Sequence, residues 1–168
     1  AIAAGFRAST GRIILTMDAD LQDDPAAADR FLSKINEGFD VVCGWKKPRY
    51  DPPLRRLSSA LFNAAAGTLF GPRLHDHNCG FKAFRREVLE RISLHGDLHR
   101  FATFLAHAHG FRVTEVIVPH RRRKFGTSRY GVERIWRSFF DLFTVSMTIQ
   151  RAQRGRRTFR FFAAAGLP

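Results

Sequence analysis

The sequence predicts one α/β domain built around a mostly parallel sheet. Two observations favour this class: short apolar strands alternate with amphipathic helices along the chain, and 168 residues suffice for one buried core. Hydrophobic residues make up 45% of the chain, and 17 residues are Phe, which excludes a disordered chain. No internal repeat or low-complexity tract argues for another architecture.

The first elements are predicted from apolar periodicity. A helix occupies residues 1–8, a strand follows at 12–17, and a second helix spans 25–37. Asp24 and Pro25 are typical of an N-cap and a first helical residue, and the glycine at position 38 ends the helix.

The later part of the chain continues the same alternation. The remaining elements are a strand, three helices, a second strand and a final amphipathic helix, at residues 39–44, 54–70, 85–92, 99–109, 112–118 and 132–150.

Two carboxylates one residue apart follow the first strand. Side chains two apart on a strand point to one side, so Asp18 and Asp20 are predicted to aim at one point. That point lies past the carboxyl end of the strand, where open α/β sheets bind ligands. Hard oxygen donors suit Mg²⁺ or Mn²⁺, ions that usually hold substrate phosphates as well. The alternative is that both carboxylates are only turn residues or helix caps.

The charge is strongly positive and unevenly distributed. The formal net charge is +13, and residues 121–160 hold twelve Lys or Arg against Glu133 and Asp141. A second basic cluster comprises Lys46, Lys47, Arg49, Arg55 and Arg56. Such patches indicate an anionic partner, whether nucleic acid, a membrane surface or a phosphorylated substrate. A merely solvated face would carry more acidic residues.

The cysteines and histidines do not form a metal-site pattern. Cys43 and Cys79 lie far apart without ligand spacing, so reduced, buried thiols in a cytosolic setting are expected. No set of cysteines or carboxylates completes a tetrahedral zinc site with the seven histidines, most of which are expected in loops or at the surface.

Four segments resemble the inverting family 2 glycosyltransferases, and more narrowly the polyprenyl-phosphate type, similar to dolichol-phosphate mannosyltransferase. They are Met17–Asp23, Arg55–Asn63, Asp76–Lys82 and Arg123–Tyr130. The specific pair is Asp-Ala-Asp-x-Gln in the first segment and Arg-x-x-Gly-x-Ser-[Lys/Arg]-Tyr in the last.

The resemblance implies a GT-A fold, Rossmann-like with helices on both faces. It implies a nucleotide-sugar donor, Mg²⁺ or Mn²⁺, and a polyprenyl-phosphate acceptor, with inversion at the anomeric carbon. The enzyme is also expected to act at the cytoplasmic face of the cell membrane, in contact with an anionic lipid surface.

The resemblance also assigns roles to residues. It implies Asp18, Asp20 and Gln22 as metal ligands, with Asp18 and Asp20 binding the donor. Asp20 and Arg123 are the expected catalytic residues. Acceptor-phosphate contacts are expected from Arg55, Ser59, Arg123, Ser128 and Arg129. Arg129 stands where the family usually has Lys, which changes geometry but not charge, and Ser128 has the alternative role of a turn residue.

Two regions are expected. Residues 1–131 resemble the C-terminal portion of a GT-A domain, whose first αβ half has no counterpart here, so the fold is expected to be incomplete at its N-terminus. Residues 132–168 are expected to form an amphipathic interfacial helix and a basic juxtamembrane tail, the alternative being a core-packing helix. We expect little transferase turnover from this chain alone.

A competing hypothesis is a basic module that binds nucleic acid or an anionic membrane without catalysis. Charge alone permits it. However, the sequence has no helix-turn-helix, zinc-finger or RNP-like element, and nucleic-acid binding does not need Asp-x-Asp-x-Gln, so no nucleic-acid partner is expected.

Overall fold

The computed structural model describes residues 2–47, 71–92, 94 and 96–121, together with 59–60, 63–64, 67–68 and 147. Its helices are α1 (Ile2–Ala8), α2 (Ala28–Asn36), α3 (Arg86–Arg91) and α4 (Ala102–Ala108), with short 3-10 helices at Pro25–Ala27 and Gly96–Phe101. Its strands are β1 (Ile13–Thr16), β2 (Val41–Lys46), β3 (Lys82–Arg85) and β4 (Val113–Val118). Within these ranges, no helix has the length and apolar character needed to cross a membrane.

The described strands form one mixed sheet in the order β1-β3-β2-β4. Strand β3 is antiparallel to both β1 and β2, and only the β2–β4 pair is parallel. The prediction of mostly parallel pairing is therefore wrong for this part of the sheet. The sequence pattern predicted no strand at β3. The chain re-enters the sheet beside the carboxyl end of β1, where Lys82 is paired with Thr16, and runs back from that edge.

Strands β1, β2 and β4 nevertheless run in the same direction. Because β1 and β2 are each antiparallel to β3, they are parallel to one another, and β4 is parallel to β2. Their carboxyl ends therefore meet at one edge of the sheet. This is the edge at which α/β sheets bind ligands.

Helices cover both faces of the sheet. Neighbouring strand residues point to opposite faces, and Val41 and Val42 accordingly belong to two different hydrophobic clusters. One cluster packs Phe31 and Ile35 of α2 against the sheet. The other packs α3 and α4 on the opposite face, with Phe104 fully buried. The expectation of helices on both faces is confirmed.

The ends of the 25–37 helix follow the predicted local chemistry. The Asp24 side chain accepts a hydrogen bond from the Ala26 backbone N–H at 3.1 Å, which makes Asp24 the N-cap. The first turn is a 3-10 helix rather than the start of one continuous α-helix. Gly38 has φ of 94°, a left-handed conformation suited to glycine after a helix.

Other predicted bounds shift, and two predicted helices are described only in part. The strand predicted at 39–44 forms as β2, displaced towards its carboxyl end, and the helix predicted at 99–109 becomes a 3-10 helix followed by α4. Of the helix predicted at 54–70 the structure describes residues 59–60, 63–64 and 67–68, all of them helical, and of the helix predicted at 132–150 it describes Met147 alone, also helical.

Cys43, Cys79 and His77 are buried in this core. Cys43 and Cys79 are both free and buried, as expected, and burial raises the pKa of Cys43 to about 12. His77 departs from the expectation of surface histidines. Its side chain is fully buried, its ring stacks on Phe104 with centroids 3.9 Å apart, and Nδ1 lies 3.0 Å from Thr103 Oγ1.

The buried His77 predicts acid sensitivity of the fold. Burial, aided by the charge of Lys82, lowers the pKa of His77 from 6.5 to about 3. The unfolded chain therefore takes up a proton at higher pH than the folded chain does. Above pH 6.5 His77 is neutral in both states and the free energy of unfolding has its full value. As the pH falls from 6.5 towards 3, the free energy of unfolding decreases by up to about 1.4 kcal/mol per pH unit.

The measurement is the free energy of unfolding of the wild-type chain and of His77→Phe across this pH range. The variant keeps an aromatic ring against Phe104 but cannot titrate, so its stability should fall less steeply with acid. Equal slopes in the two proteins would contradict the assignment.

Candidate functional site

The candidate site is the acidic loop of residues 17–24, which follows β1 at the shared carboxyl edge. Strand β1 ends at Thr16, so Asp18 lies in the loop after the strand and Asp20 lies in a turn. Strand alternation therefore does not determine the orientation of these two side chains. The turn shapes the loop instead: Leu21 has φ of 61°, and Asp20 Oδ1 accepts a hydrogen bond from the Gln22 backbone N–H at 3.2 Å.

Asp18 lies directly against a glycine that precedes β3. A Cβ placed on Gly80 would come within 2.4 Å of Asp18 Oδ1 and 2.5 Å of Oδ2. Thr16 fixes this approach, because its Oγ1 donates to the Gly80 carbonyl at 2.8 Å. The Asp18 side chain remains 54% exposed. Gly80 thus provides the space in which this carboxylate sits.

Gln22 joins the acidic loop to residues 119–121, the segment after β4. Its Nε2 donates to the Arg121 carbonyl at 3.0 Å, and its own carbonyl accepts from the Arg121 backbone N–H at 2.8 Å. Asp23 and His120 form an isolated antiparallel bridge, and Arg121 pairs with Asp24 at 2.7 Å. We call this set of contacts the loop junction.

A buried charged group lies beneath the loop junction. The Asp23 side chain is fully buried, and its Oδ1 lies 3.6 Å from Lys46 Nζ and 3.7 Å from His120 Nδ1. Lys46 Nζ also lies 3.9 Å from Asp18 Oδ2. Burial lowers the pKa of Lys46, but its neighbours Cys79, Asp23 and Asp18 outweigh burial and raise the pKa above its ordinary value. Lys46 therefore stays charged at neutral pH.

The oxygen atoms of the acidic loop fit a hard divalent cation. Asp18 and Asp20 carry carboxylate oxygens, and Gln22, which donates through Nε2, has an amide oxygen in addition. In the described ranges no three His, Cys, Asp or Glu side chains form a metal cluster. Mg²⁺ and similar ions commonly take only one or two carboxylates and complete their coordination with water and substrate phosphates. The donor set fits such an ion.

The described residues bring together only part of the predicted site. Asp18, Asp20 and Gln22 share the acidic loop. Ser59 is described separately, and its Oγ is buried without a hydrogen-bond partner among the described residues. The expected acceptor-phosphate residues Arg55, Arg123, Ser128 and Arg129 lie outside the described residues.

Sequence reasoning missed Lys46, Gly80, Asp23 and His120 as parts of this site. Lys46 was counted only as one member of a basic cluster, and His120 was expected in a loop or at the surface. His120 is buried, at 8% exposure. The positions of these residues at strand ends could have indicated their place. Lys46 ends β2 and His120 follows β4, at the edge where Asp18 follows β1.

Comparison with known proteins identifies the family. The family model for glycosyl transferase family 2 matches residues 1–93, more than half of the chain. The chain belongs to glycosyl transferase family 2. Dodecaprenyl-phosphate galacturonate synthase of Rhizobium johnstonii is 34% identical over 172 residues, which cover 99% of this chain and 50% of that protein. Undecaprenyl-phosphate 4-deoxy-4-formamido-L-arabinose transferase of Pseudomonas aeruginosa is 34% identical over 148 residues, covering 88% of this chain and 44% of that protein.

Solved structures share the fold of this chain. Glucosyl-3-phosphoglycerate synthase of Mycobacterium tuberculosis, in complex with phosphoglyceric acid, has a TM-score of 0.61 at 14% identity and covers 99% of this chain and 54% of that one. The same enzyme with Mn²⁺, uridine-diphosphate-glucose and glycerol 3-phosphate has a TM-score of 0.60. The GT-A class of α/β fold is thus confirmed. The chain spans about half the length of the curated relatives that it matches.

The close contact at Gly80 predicts a selective loss of metal affinity in Gly80→Ala. The new Cβ would overlap the Asp18 carboxylate, which is exposed enough to move away at little cost in stability. Mn²⁺ affinity, measured by calorimetric titration, should fall about tenfold or more, because a displaced oxygen ligand no longer meets the ion.

Gly5→Ala is the matched control, since a Cβ at Gly5 meets nothing within 4 Å. It should leave Mn²⁺ affinity unchanged and slightly stabilise α1. Unchanged affinity in Gly80→Ala would mean that Asp18 does not hold the ion.

Proposed function

We propose that this chain carries the metal-binding and acceptor-binding parts of a transferase that moves a sugar from a nucleotide-sugar donor to a polyprenyl phosphate, with inversion. The observation that carries the proposal is the loop junction. It holds the acidic loop against Arg121, the first residue of the arginine-rich segment, which supports a cation site next to phosphate-binding arginines.

The comparisons support the substrate classes. Two relatives carry names of enzymes that use dodecaprenyl or undecaprenyl phosphate, which supports a polyprenyl-phosphate acceptor. A structural neighbour bound to Mn²⁺ and uridine-diphosphate-glucose supports a nucleotide-sugar donor and a divalent ion.

Asp18, Asp20 and Gln22 would hold the ion on the donor side, Asp18 and Asp20 also binding the donor. When bound, Mg²⁺ or Mn²⁺ acts as a Lewis acid that stabilises the departing nucleoside diphosphate. The turn at Asp20 and the amide hydrogen bond of Gln22 hold the protein ligands in place before substrate arrives. This preorganisation is what lets fixed charges favour a charged leaving group.

The acceptor requires positioning more than activation. A phosphate monoester has a second pKa of about 6 and is already anionic at neutral pH, so no strong base is needed. Arg123 would bind it through the bidentate fork of its guanidinium, with Arg55, Ser59, Ser128 and Arg129 assisting. The arginines offset the repulsion between the acceptor phosphate and the donor diphosphate. Together with the serines they align the attacking oxygen with the anomeric carbon.

The proposal extends to organisation and location. Residues 1–131 form the catalytic portion, and residues 132–168 form an interfacial helix with a basic tail against the cytoplasmic face of the membrane. The dense arginines of residues 121–160 support an anionic lipid surface as partner.

Asp20→Ala tests the donor side of the proposal. Saturable Mn²⁺ binding in the presence of a nucleoside diphosphate should weaken more than about tenfold in this variant, because a ligand carboxylate is lost. Asp29→Ala is the control, since Asp29 is an exposed carboxylate in the first turn of α2. Equal Mn²⁺ affinity in all three proteins would contradict the proposed metal site.

Vesicle binding tests the membrane side. The chain should co-sediment with phosphatidylglycerol vesicles and should dissociate as salt is raised, because screening weakens attraction between basic residues and lipid phosphates. Phosphatidylcholine vesicles of equal size are the control. Equal binding to both, or to neither, would contradict an anionic membrane surface as partner.

A further inference from the structure

We infer that Asp23 is a positioning residue that shares the Lys46 ammonium with Asp18, weakens the hold of Lys46 on Asp18 and so keeps Asp18 available to a divalent cation. The inference rests on the proposed function in one respect, that Asp18 is a metal ligand. It adds a role for a residue next to the metal-binding motif, exercised through a lysine from a different strand.

The first step is that the buried Asp23 carboxylate needs a compensating charge. The side chain has no exposed surface, and neither oxygen has a hydrogen-bond partner within the described part of the chain. A carboxylate removed from water is costly unless opposite charge compensates it. Lys46 Nζ at 3.6 Å and His120 Nδ1 at 3.7 Å are the groups placed to do so.

The second step is that Lys46 is shared between two carboxylates. Its Nζ lies 3.6 Å from Asp23 and 3.9 Å from Asp18. Attraction between charges is stronger where water is excluded. Asp23 is fully buried and Asp18 is 54% exposed, so Asp23 is the stronger partner.

The third step is competition at Asp18. A lysine ammonium and a divalent cation are attracted to the same carboxylate, and each lowers the affinity for the other. With Asp23 charged, Lys46 has a buried partner and leaves the outer carboxylate accessible. With Asp23 neutral, Asp18 is the other carboxylate paired with Lys46 in the described ranges.

The fourth step separates this role from holding the chain together. The Asp23–His120 bridge and the contacts between Gln22 and the Arg121 backbone need no Asp23 carboxylate. Asn at position 23 has nearly the same shape and keeps these contacts. The charge of Asp23 is therefore directed at its buried neighbours Lys46 and His120 rather than at the path of the chain.

The test is a double-mutant cycle on Mn²⁺ affinity, measured by calorimetry or by the electron paramagnetic resonance signal of free Mn²⁺. Asp23→Asn should bind Mn²⁺ about tenfold more weakly than wild type, since the released lysine neutralises Asp18. Adding Lys46→Met to Asp23→Asn should raise the affinity to that of Lys46→Met alone, because Asp23 acts only through the lysine. Lys46→Met alone should bind Mn²⁺ more tightly than wild type.

Each outcome decides the inference. A folded Asp23→Asn protein with wild-type affinity overturns it, and so does a double variant that binds as weakly as Asp23→Asn, which would mark Asp23 as merely structural. If Asp23→Asn does not fold by circular dichroism, the double variant is compared with Lys46→Met: equal Mn²⁺ affinity supports the inference, and weaker binding by the double variant overturns it.

The same titration separates this inference from the proposed function. Wild-type binding that is lost in Asp20→Ala but unchanged in Asp23→Asn keeps the metal site and overturns the role of Asp23. A wild-type chain that binds no Mn²⁺ overturns both.

Discussion

The insertion of β3 between β1 and β2 is the constraint on which the rest of the site depends. Because β3 is antiparallel to both neighbours, β1 and β2 end at the same edge, and the parallel pairing of β4 brings a third strand to that edge. The same insertion places Gly80, just before β3, against Asp18. The acidic loop, Lys46 and His120 therefore lie close together because of β3, although none of them belongs to that strand.

The parts of this arrangement that sequence could predict are those encoded locally. Asp24, Pro25 and Gly38 each act through their own backbone, and the helix between them formed as expected apart from its first turn. The order Asp-x-Asp-x-Gln at the end of an apolar strand also identified the acidic loop, because metal chemistry requires those atoms close together in any fold.

The parts that could not be predicted depend on partners distant in sequence. Strand β3 is a short stretch whose pairing is decided by β1 and β2 on either side. Lys46 reads as one more member of a basic cluster until the fold buries it beside Asp23, and His77 reads as a loop histidine until Phe104 stacks on it. In each case the tertiary contact, not the residue type, determines the role.

The hydrogen bond from the Gln22 amide accounts for a glutamine, rather than a glutamate, at this place in the acidic loop. The Arg121 carbonyl accepts that hydrogen bond, and a glutamate would face it with a second acceptor. An amide donates to the carbonyl with one end and has an oxygen at the other. If that oxygen joins Asp18 and Asp20 around a divalent ion, as proposed, the set carries two negative charges instead of three, which lowers its electrostatic hold on the ion. The proposed site would then release its ion together with the nucleoside diphosphate more readily than a site of three carboxylates would.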